Sequence, residues 1–197
     1  MKYVCRCDCN LDIDIDIYKG DFVNTAIYAI YPNLDRYFLV NIFGYSSKGI
    51  PGLEIVGLGR QGRLIKEKLI YLSRIYRLQL PLKRYVICVE DDCQIKDSLM
   101  DNCSWLELPM LILFWSLANF IPIKKLDDCV ASGRISISGK VEILKLKQQT
   151  YLKMLEQKII DCKYIAPRES NASEDLFILP IEEIFTGKGG MSFSLNS

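Results

Sequence analysis

Histidine is absent from this chain of 197 residues. That removes the commonest general base near neutral pH and the commonest transition-metal ligand together. A surplus of charge is missing too: 25 Lys and Arg against 24 Asp and Glu leave a formal +1. The molecule has no global pull on nucleic acid or anionic membrane, and any such contact needs a local patch. No apolar run is long enough for a bilayer. The longest, Leu108 to Ile121, is interrupted by Ser116 and Asn119 and falls short of the roughly 18–20 residues of a span, so a buried helix is expected. Met1-Lys2-Tyr3-Val4 has neither an apolar core nor a small-residue cleavage site, so no export leader is expected. The string Gly-x-x-x-x-Gly-Lys-Ser/Thr does not occur either, and no nucleotide cofactor is expected.

Half of the residues are hydrophobic, a composition that folds, and the length fits one domain. The eight cysteines are expected to be reduced thiols in a cytoplasmic protein rather than four bridges. Residues 3–18 alternate: Tyr3, Cys5, Cys7, Cys9, Leu11, Ile13, Ile15 and Ile17 share one parity, and Arg6, Asp8, Asn10, Asp12, Asp14 and Asp16 the other. Period two over this length predicts a strand, or two joined strands, with one buried and one wet face. Lys19-Gly20-Asp21 reads as a turn, and Phe22 to Tyr31 and Arg36 to Phe43 read as two strands of a hairpin.

Further along, Ile65, Leu69, Leu72 and Tyr76 recur at helical spacing, and Arg84 to Val89 reads as a buried strand. Leu108-Pro109 is expected to open a helix that Ile121-Pro122 ends. Its apolar residues lie on nearly all sides, so it should be covered on more than one face. Val130 to Val141 reads as a hairpin turning at Ser138-Gly139, and Leu146 to Asp161 as a third helix. Two short strands, Tyr164 to Ala166 and Leu176 to Leu179, and a short helix from Pro180 to Phe185 complete a single domain over 1–186. The Gly/Ser-rich residues 187–197 are expected to form a loose tail. The fold class is α/β (α+β), a mixed β-sheet with helices packed on it.

Three patterns bear on chemistry. Cys5, Cys7 and Cys9 present alternate thiols able to bind a soft metal, but tetrahedral sites favour wider ligand spacing, and buried strand cysteines are the simpler reading. Asp8, Asp12, Asp14 and Asp16 form an acidic ribbon that reads as a solvated strand face. Lys48, Arg60, Arg63, Lys66, Lys68, Arg74, Arg77, Lys83 and Arg84 concentrate positive charge between residues 48 and 84. Such a set can contact phosphates without sequence specificity, or form an ordinary charged helix face partly paired with Glu67 and the acids at 90–92. The contact candidates are Lys48, Arg60, Arg63, Lys66, Arg74 and Arg77, on a basic helix over 60–77.

The segment Gly49-Ile50-Pro51-Gly52-Leu53-Glu54-Ile55-Val56-Gly57-Leu58 resembles the pattern Gly-Leu-Pro-x-Phe-x-Ile-Val-Gly-Leu of the ChlI-type N-terminal domain in magnesium-chelatase-like, ComM-type competence ATPases. Lys83-Arg84 before a strand, Glu107-Leu108-Pro109 through Ile121-Pro122, Gly133-Arg134-Ile135 with Ser138-Gly139, and Pro167 to Glu174 follow in that family's order. The resemblance covers about residues 30–186. The departures are also specific: Gly59-Arg60 stands for Pro-Asp, Cys88-Val89-Glu90-Asp91-Asp92-Cys93 for Asn-Leu-Ala-Pro-Ala-Asp, and bulky Leu111, Leu113, Phe114 and Trp115 for small residues. Gly57-Leu58-Gly59-Arg60-Gln61-Gly62 is formally a Gly-x-Gly-x-x-Gly, which the family pattern accounts for.

The resemblance implies the fold of the Lon proteolytic domain and of the second domain of a small-subunit ribosomal protein. In Lon, a Ser/Lys dyad hydrolyses peptides. The counterpart here is Ser104 with Lys147, in a stretch, Asn102-Cys103-Ser104-Trp105, that lacks the glycine for an oxyanion turn. The resemblance therefore implies a non-catalytic binding or assembly module lacking the ATPase part, with a degenerate Lon-like Ser/Lys peptidase as the alternative. Partners expected are another protein chain or a second copy, the latter through Phe114 and Trp115 if exposed, and nucleic acid through the basic helix. No membrane partner is expected.

Overall fold

A computed structural model of the chain describes residues 23–33, 36–90, 103–121, 123, 125–145, 163–167, 178–185 and 192–196. Its longest strands are β1 (Val23–Asn33) and β2 (Arg36–Ser47), both rich in the β-branched and aromatic residues that suit a pleated surface. They form the expected hairpin, antiparallel from Val23↔Ser46 to Asn33↔Arg36. β3 (Gly52–Val56) and β4 (Arg84–Val89) run parallel, with α1 (Gly59–Ile75) between them in sequence. β4 joins β2 antiparallel, in register from Ile42↔Val89 to Ser47↔Arg84.

β5 (Cys129–Ala131), β8 (Lys163–Ala166) and β9 (Ile178–Pro180) extend the sheet beyond β1 by parallel pairing. The order is β3-β4-β2-β1-β5-β8-β9, a mixed sheet of seven strands. A second sheet, in order β10-β7-β6, holds β6 (Gly133–Ile135), β7 (Lys140–Leu144) and β10 (Ser192–Asn196). The architecture is mixed α/β, as the strand and helix patterns implied.

α1 buries Ile65, Leu69 and Leu72, the residues whose spacing marks it in the sequence, together with Gly62 and Ser73. It ends with Arg77 in the left-handed region at φ 53°. The Arg77 N–H donates to the Arg74 carbonyl and the Leu78 N–H to the Ser73 carbonyl, each at 2.9 Å, which satisfies carbonyls the helix leaves open. α2 (Glu107–Leu117) follows a 3-10 turn over Cys103–Leu106, and all its residues are buried. It lies against β1, β2 and β4 of the large sheet and also touches β6 and α1. A helix without a polar face needs such enclosure.

Close approach to the sheet is possible because Gly44 has no side chain. A Cβ there would stand 2.9 Å from the Val86 carbonyl oxygen, 3.1 Å from Leu117 Cδ1 and 3.2 Å from Leu113 Cδ2. On its far side, the Trp115 indole donates to Ser73 Oγ at 2.9 Å. Its ring meets Tyr76 at 5.9 Å and Phe185, just past α3 (Ile181–Ile184), at 5.5 Å, all edge to face. Phe114 meets Tyr85 of β4 in the same geometry at 5.2 Å. Aromatic pairs so arranged add to the burial they bring.

Four sequence expectations are corrected. α2 stops at Leu117 rather than at Ile121-Pro122, because Asn119 takes the left-handed conformation (φ 61°). Its N–H and that of Phe120 then close on the Ser116 and Trp115 carbonyls. The expected hairpin over 130–141 is divided: Cys129–Ala131 pairs with β1 and β8, and only β6 and β7 form the hairpin. Phe114 and Trp115 are buried and offer no surface to a second copy, because α2 is enclosed on every side. Finally, the stretch expected as a loose tail contributes β10, parallel to β7 from Ser192↔Lys140 to Asn196↔Leu144. Its own period-two order, Ser192-Phe193-Ser194-Leu195-Asn196, accounts for a strand where composition indicated a tail. The third helix, Leu146 to Asp161, and the N-terminal strand over 3–18 lie outside the described residues.

Candidate functional site

The stretch matched to a Lon-like nucleophile turn is the 3-10 turn before α2. Ser104 is half-buried there, between buried Cys103 and Trp105. Lys147, its expected partner, lies outside the described residues, as do Cys5, Cys7 and Cys9. The ammonium found at this end of α2 is Lys68 of α1, and it is hydrogen-bonded and ion-paired to Glu107 Oε1. The other carboxylate oxygen, Oε2, accepts the buried backbone N–H of Ile135 in β6 at 2.8 Å.

Both oxygens of this buried side chain are therefore occupied, and one residue links α1, α2 and the second sheet. As the first residue of α2, Glu107 also places negative charge where the helix dipole favours it. Burial pushes the Cys103 thiol up and the Glu107 charge adds to the rise, so the thiolate needed for nucleophilic chemistry is disfavoured. Beside this cluster the Arg134 guanidinium lies over the Trp105 ring at 4.1 Å, a cation–π contact. Chemically, the cluster is a clamp.

The basic residues separate in space. Arg60, Arg63 and Arg74 project from α1 into solvent, and Arg77 does so just past its end. Lys48 is exposed in the turn after β2. Lys66 is half-buried and stands 3.3 Å from Glu67. Lys68 is removed from the set by Glu107, and Arg84 pairs with Glu54 at 2.9 Å. Two of the nine cations, Lys68 and Arg84, are thus claimed by partners far along the chain, and the helix distributes those on α1 around its circumference.

The face to which Arg60, Arg63 and Arg74 belong carries a feature the basic pattern concealed. Leu64, Tyr71 and Ile75 are 59%, 50% and 44% exposed. At 3.6 residues per turn they fall on one line along α1, with Arg60, Arg63, Glu67 and Arg74 along one side of it and Lys68 on the other. From Leu64 to Ile75 the line runs about 16 Å at 1.5 Å per residue. The residues that define this stripe were legible as departures from helical amphipathicity: three large apolar residues at positions 64, 71 and 75 of a helix whose buried side is already accounted for.

The Gly-x-Gly-x-x-Gly string is explained by packing. Gly57 turns the chain out of β3 at φ 99° against Val89, and a Cβ on Gly62 would meet Ile55 at 3.3 Å. Among the described residues no group of three or more Cys, Asp or Glu side chains is placed to hold a metal ion. No helix among them is long and apolar enough to cross a membrane. Compared with models of known families and with curated proteins, the chain matches none.

Proposed function

We propose that this chain is a binding or assembly module without catalytic activity of its own, and that the outer face of α1 is its contact surface. The observation that carries the reading is the exposed line Leu64, Tyr71 and Ile75 edged by Arg60, Arg63 and Arg74. Protein contact surfaces combine an apolar and aromatic centre with a polar rim, and tyrosine and arginine are the residues enriched among those that dominate binding. Three guanidinium groups along one edge favour a partner protein with acidic side chains at the matching edge. Phosphate contact needs the cations alone and leaves the apolar line without a role.

The motif resemblance supports placing the module beside ComM-type DNA-processing ATPases, as a stand-alone counterpart of their ChlI-type domain in the cytoplasm. The hydrolytic alternative pairs Ser104 with Lys147, and Lys147 lies outside the described residues. Lys68, the lysine described at this end of α2, does not replace it, since a general-base lysine must be uncharged when it takes a proton and Lys68 is engaged with a carboxylate.

The test compares what co-purifies from the native cell with the tagged chain and with its Leu64→Ser, Tyr71→Ser variant. A protein partner retained by the first and lost by the second is expected. Nucleic acid released by moderate salt and by charge removal at Arg60, Arg63 and Arg74 transfers the face to phosphate binding. Identical recovery with both chains removes α1 as the contact surface.

A further inference from the structure

The turn between β6 and β7 carries a large apolar side chain where turns ordinarily carry Gly, Pro, Asn, Asp or Ser. Gly139, at φ 83°, donates its N–H to the Ser136 carbonyl at 3.0 Å, and the Ser136 N–H donates to the Lys140 carbonyl at 2.8 Å. Ser136 Oγ accepts the Lys140 N–H at 3.0 Å and meets Ser138 Oγ at 2.8 Å. These bonds fix the turn and leave Ile137 at its tip, 67% exposed. The side chain belongs neither to the core nor to the residues packed against it.

Two contacts tie this turn to α1. Lys68 holds Glu107, which accepts the Ile135 N–H at the end of β6. Tyr76, just past α1, sets its hydroxyl against Gly139, where a Cβ would collide with it. Lys68 and Tyr76 are eight residues apart and lie on the same side of the line Leu64, Tyr71 and Ile75, opposite Arg60, Arg63 and Arg74. The chain from Ile135 to Gly139 therefore borders that line on its other side. Cations rim the whole: Arg60, Arg63 and Arg74 along one edge and Lys140 at the base of the turn, all exposed. None of the four has an ion-pair partner among the described residues.

We infer that this turn and the outer face of α1 are one docking surface, and that its occupant is a segment of a partner protein with an apolar centre and acidic edges. The inference rests on the reading of α1 as a contact surface and adds to it a second element, Ile137 and Lys140, far along the chain. Leu64, Tyr71, Ile75 and Ile137 are all exposed, and apolar side chains gathered on adjoining elements inside a polar rim mark an interaction site, as single scattered ones do not. Charge selects the occupant. Unpaired guanidinium and ammonium groups on both edges repel a basic segment and attract an acidic one. The turn is already fixed by its own hydrogen bonds, so Ile137 is presented to a partner with little ordering left to cost affinity.

The test places a photo-crosslinking residue at Tyr71 or at Ile137 of the full-length chain in its native cell, and the captured peptide is sequenced by mass spectrometry. Both positions are expected to capture one segment, in which Asp and Glu flank apolar residues. That segment, made as a synthetic peptide, is then titrated against the purified full-length chain. Ile137→Ser is expected to weaken its binding about tenfold, and Lys140→Glu to weaken it and to reduce its dependence on salt. Both side chains are exposed, so the urea midpoint of each variant should match wild type. Capture at Tyr71 alone, or a peptide that binds the Ile137→Ser variant as tightly as wild type, overturns the inference and leaves the α1 surface standing. Capture at Ile137 alone, or at neither position, overturns both readings. A captured segment without acidic residues, a second copy of this chain, or nucleic acid also overturns the inference and assigns the face to that partner.

Discussion

Glu107→Ala tests the clamp at the start of α2. The substitution removes the partner of Lys68 and the acceptor of the Ile135 N–H at once. Breaking a fully buried ion pair costs about 3–5 kcal/mol, but the Lys68 side chain is 27% exposed and its ammonium can turn to water, so most of that penalty is relieved. The Ile135 amide has no such escape, and a buried donor left unpaired costs about 1–3 kcal/mol. Together the loss is about 2–4 kcal/mol, an order-of-magnitude figure. Glu107→Gln keeps an acceptor for the amide and loses only the charge, so about 1–2 kcal/mol is expected. Both tryptophans, Trp105 and Trp115, are buried, so their fluorescence reports urea unfolding. With a slope of about 2 kcal/mol per molar urea, the alanine midpoint falls by about 1–2 M and the glutamine midpoint by about half as much. The double variant Lys68→Met, Glu107→Gln, which removes both charges and retains an acceptor, should lie closer to wild type than Glu107→Ala does. If alanine and glutamine variants both lose under about 0.5 kcal/mol, Glu107 does not couple the three elements and the reasoning fails.

Arg77→Gly is expected to stabilise the chain by about 0.5–1 kcal/mol, read as a raised melting temperature, because a left-handed residue with a Cβ is strained and the gain is offset by a freer unfolded chain. Gly44→Ala is expected to cost about 1–3 kcal/mol by overpacking, and an unchanged urea midpoint would show that α2 can move off the sheet. A hydrogen bond from Lys163 holds the Asp128 carboxyl below its ordinary value near 3.8. A carboxyl lowered in the folded state contributes stability that is complete above about pH 4 and is lost as pH falls through the folded value. Asp128→Asn should therefore flatten the acid limb of the stability–pH curve. At neutral pH it should cost under about 1 kcal/mol, since the pair is over a third exposed on the lysine side and screened by water. An acid limb identical to wild type would remove this pair as its source.

Periodicity carried the elements whose signal is local. Ile65, Leu69 and Leu72 mark the buried side of α1, Arg84 to Val89 coincides with β4, and the absence of a polar side on 108–117 foretells a helix covered all round. These follow from residue order because side-chain direction repeats every 3.6 residues in a helix and every two in a strand. Of the candidate contact face, the arginines were visible as composition, whereas the line Leu64, Tyr71 and Ile75 acquired meaning only once the opposite side of α1 was seen filled. Pairing and partner choice belonged to the tertiary structure. Nothing near Lys68 in the sequence points to Glu107, 39 residues away. No local pattern sends Cys129–Ala131 to one sheet and Gly133–Ile135 to another, or returns Ser192–Asn196 to lie beside β7. The physical reason is common to all three: periodicity fixes which way a side chain points, but what it meets depends on which distant surfaces close around the core.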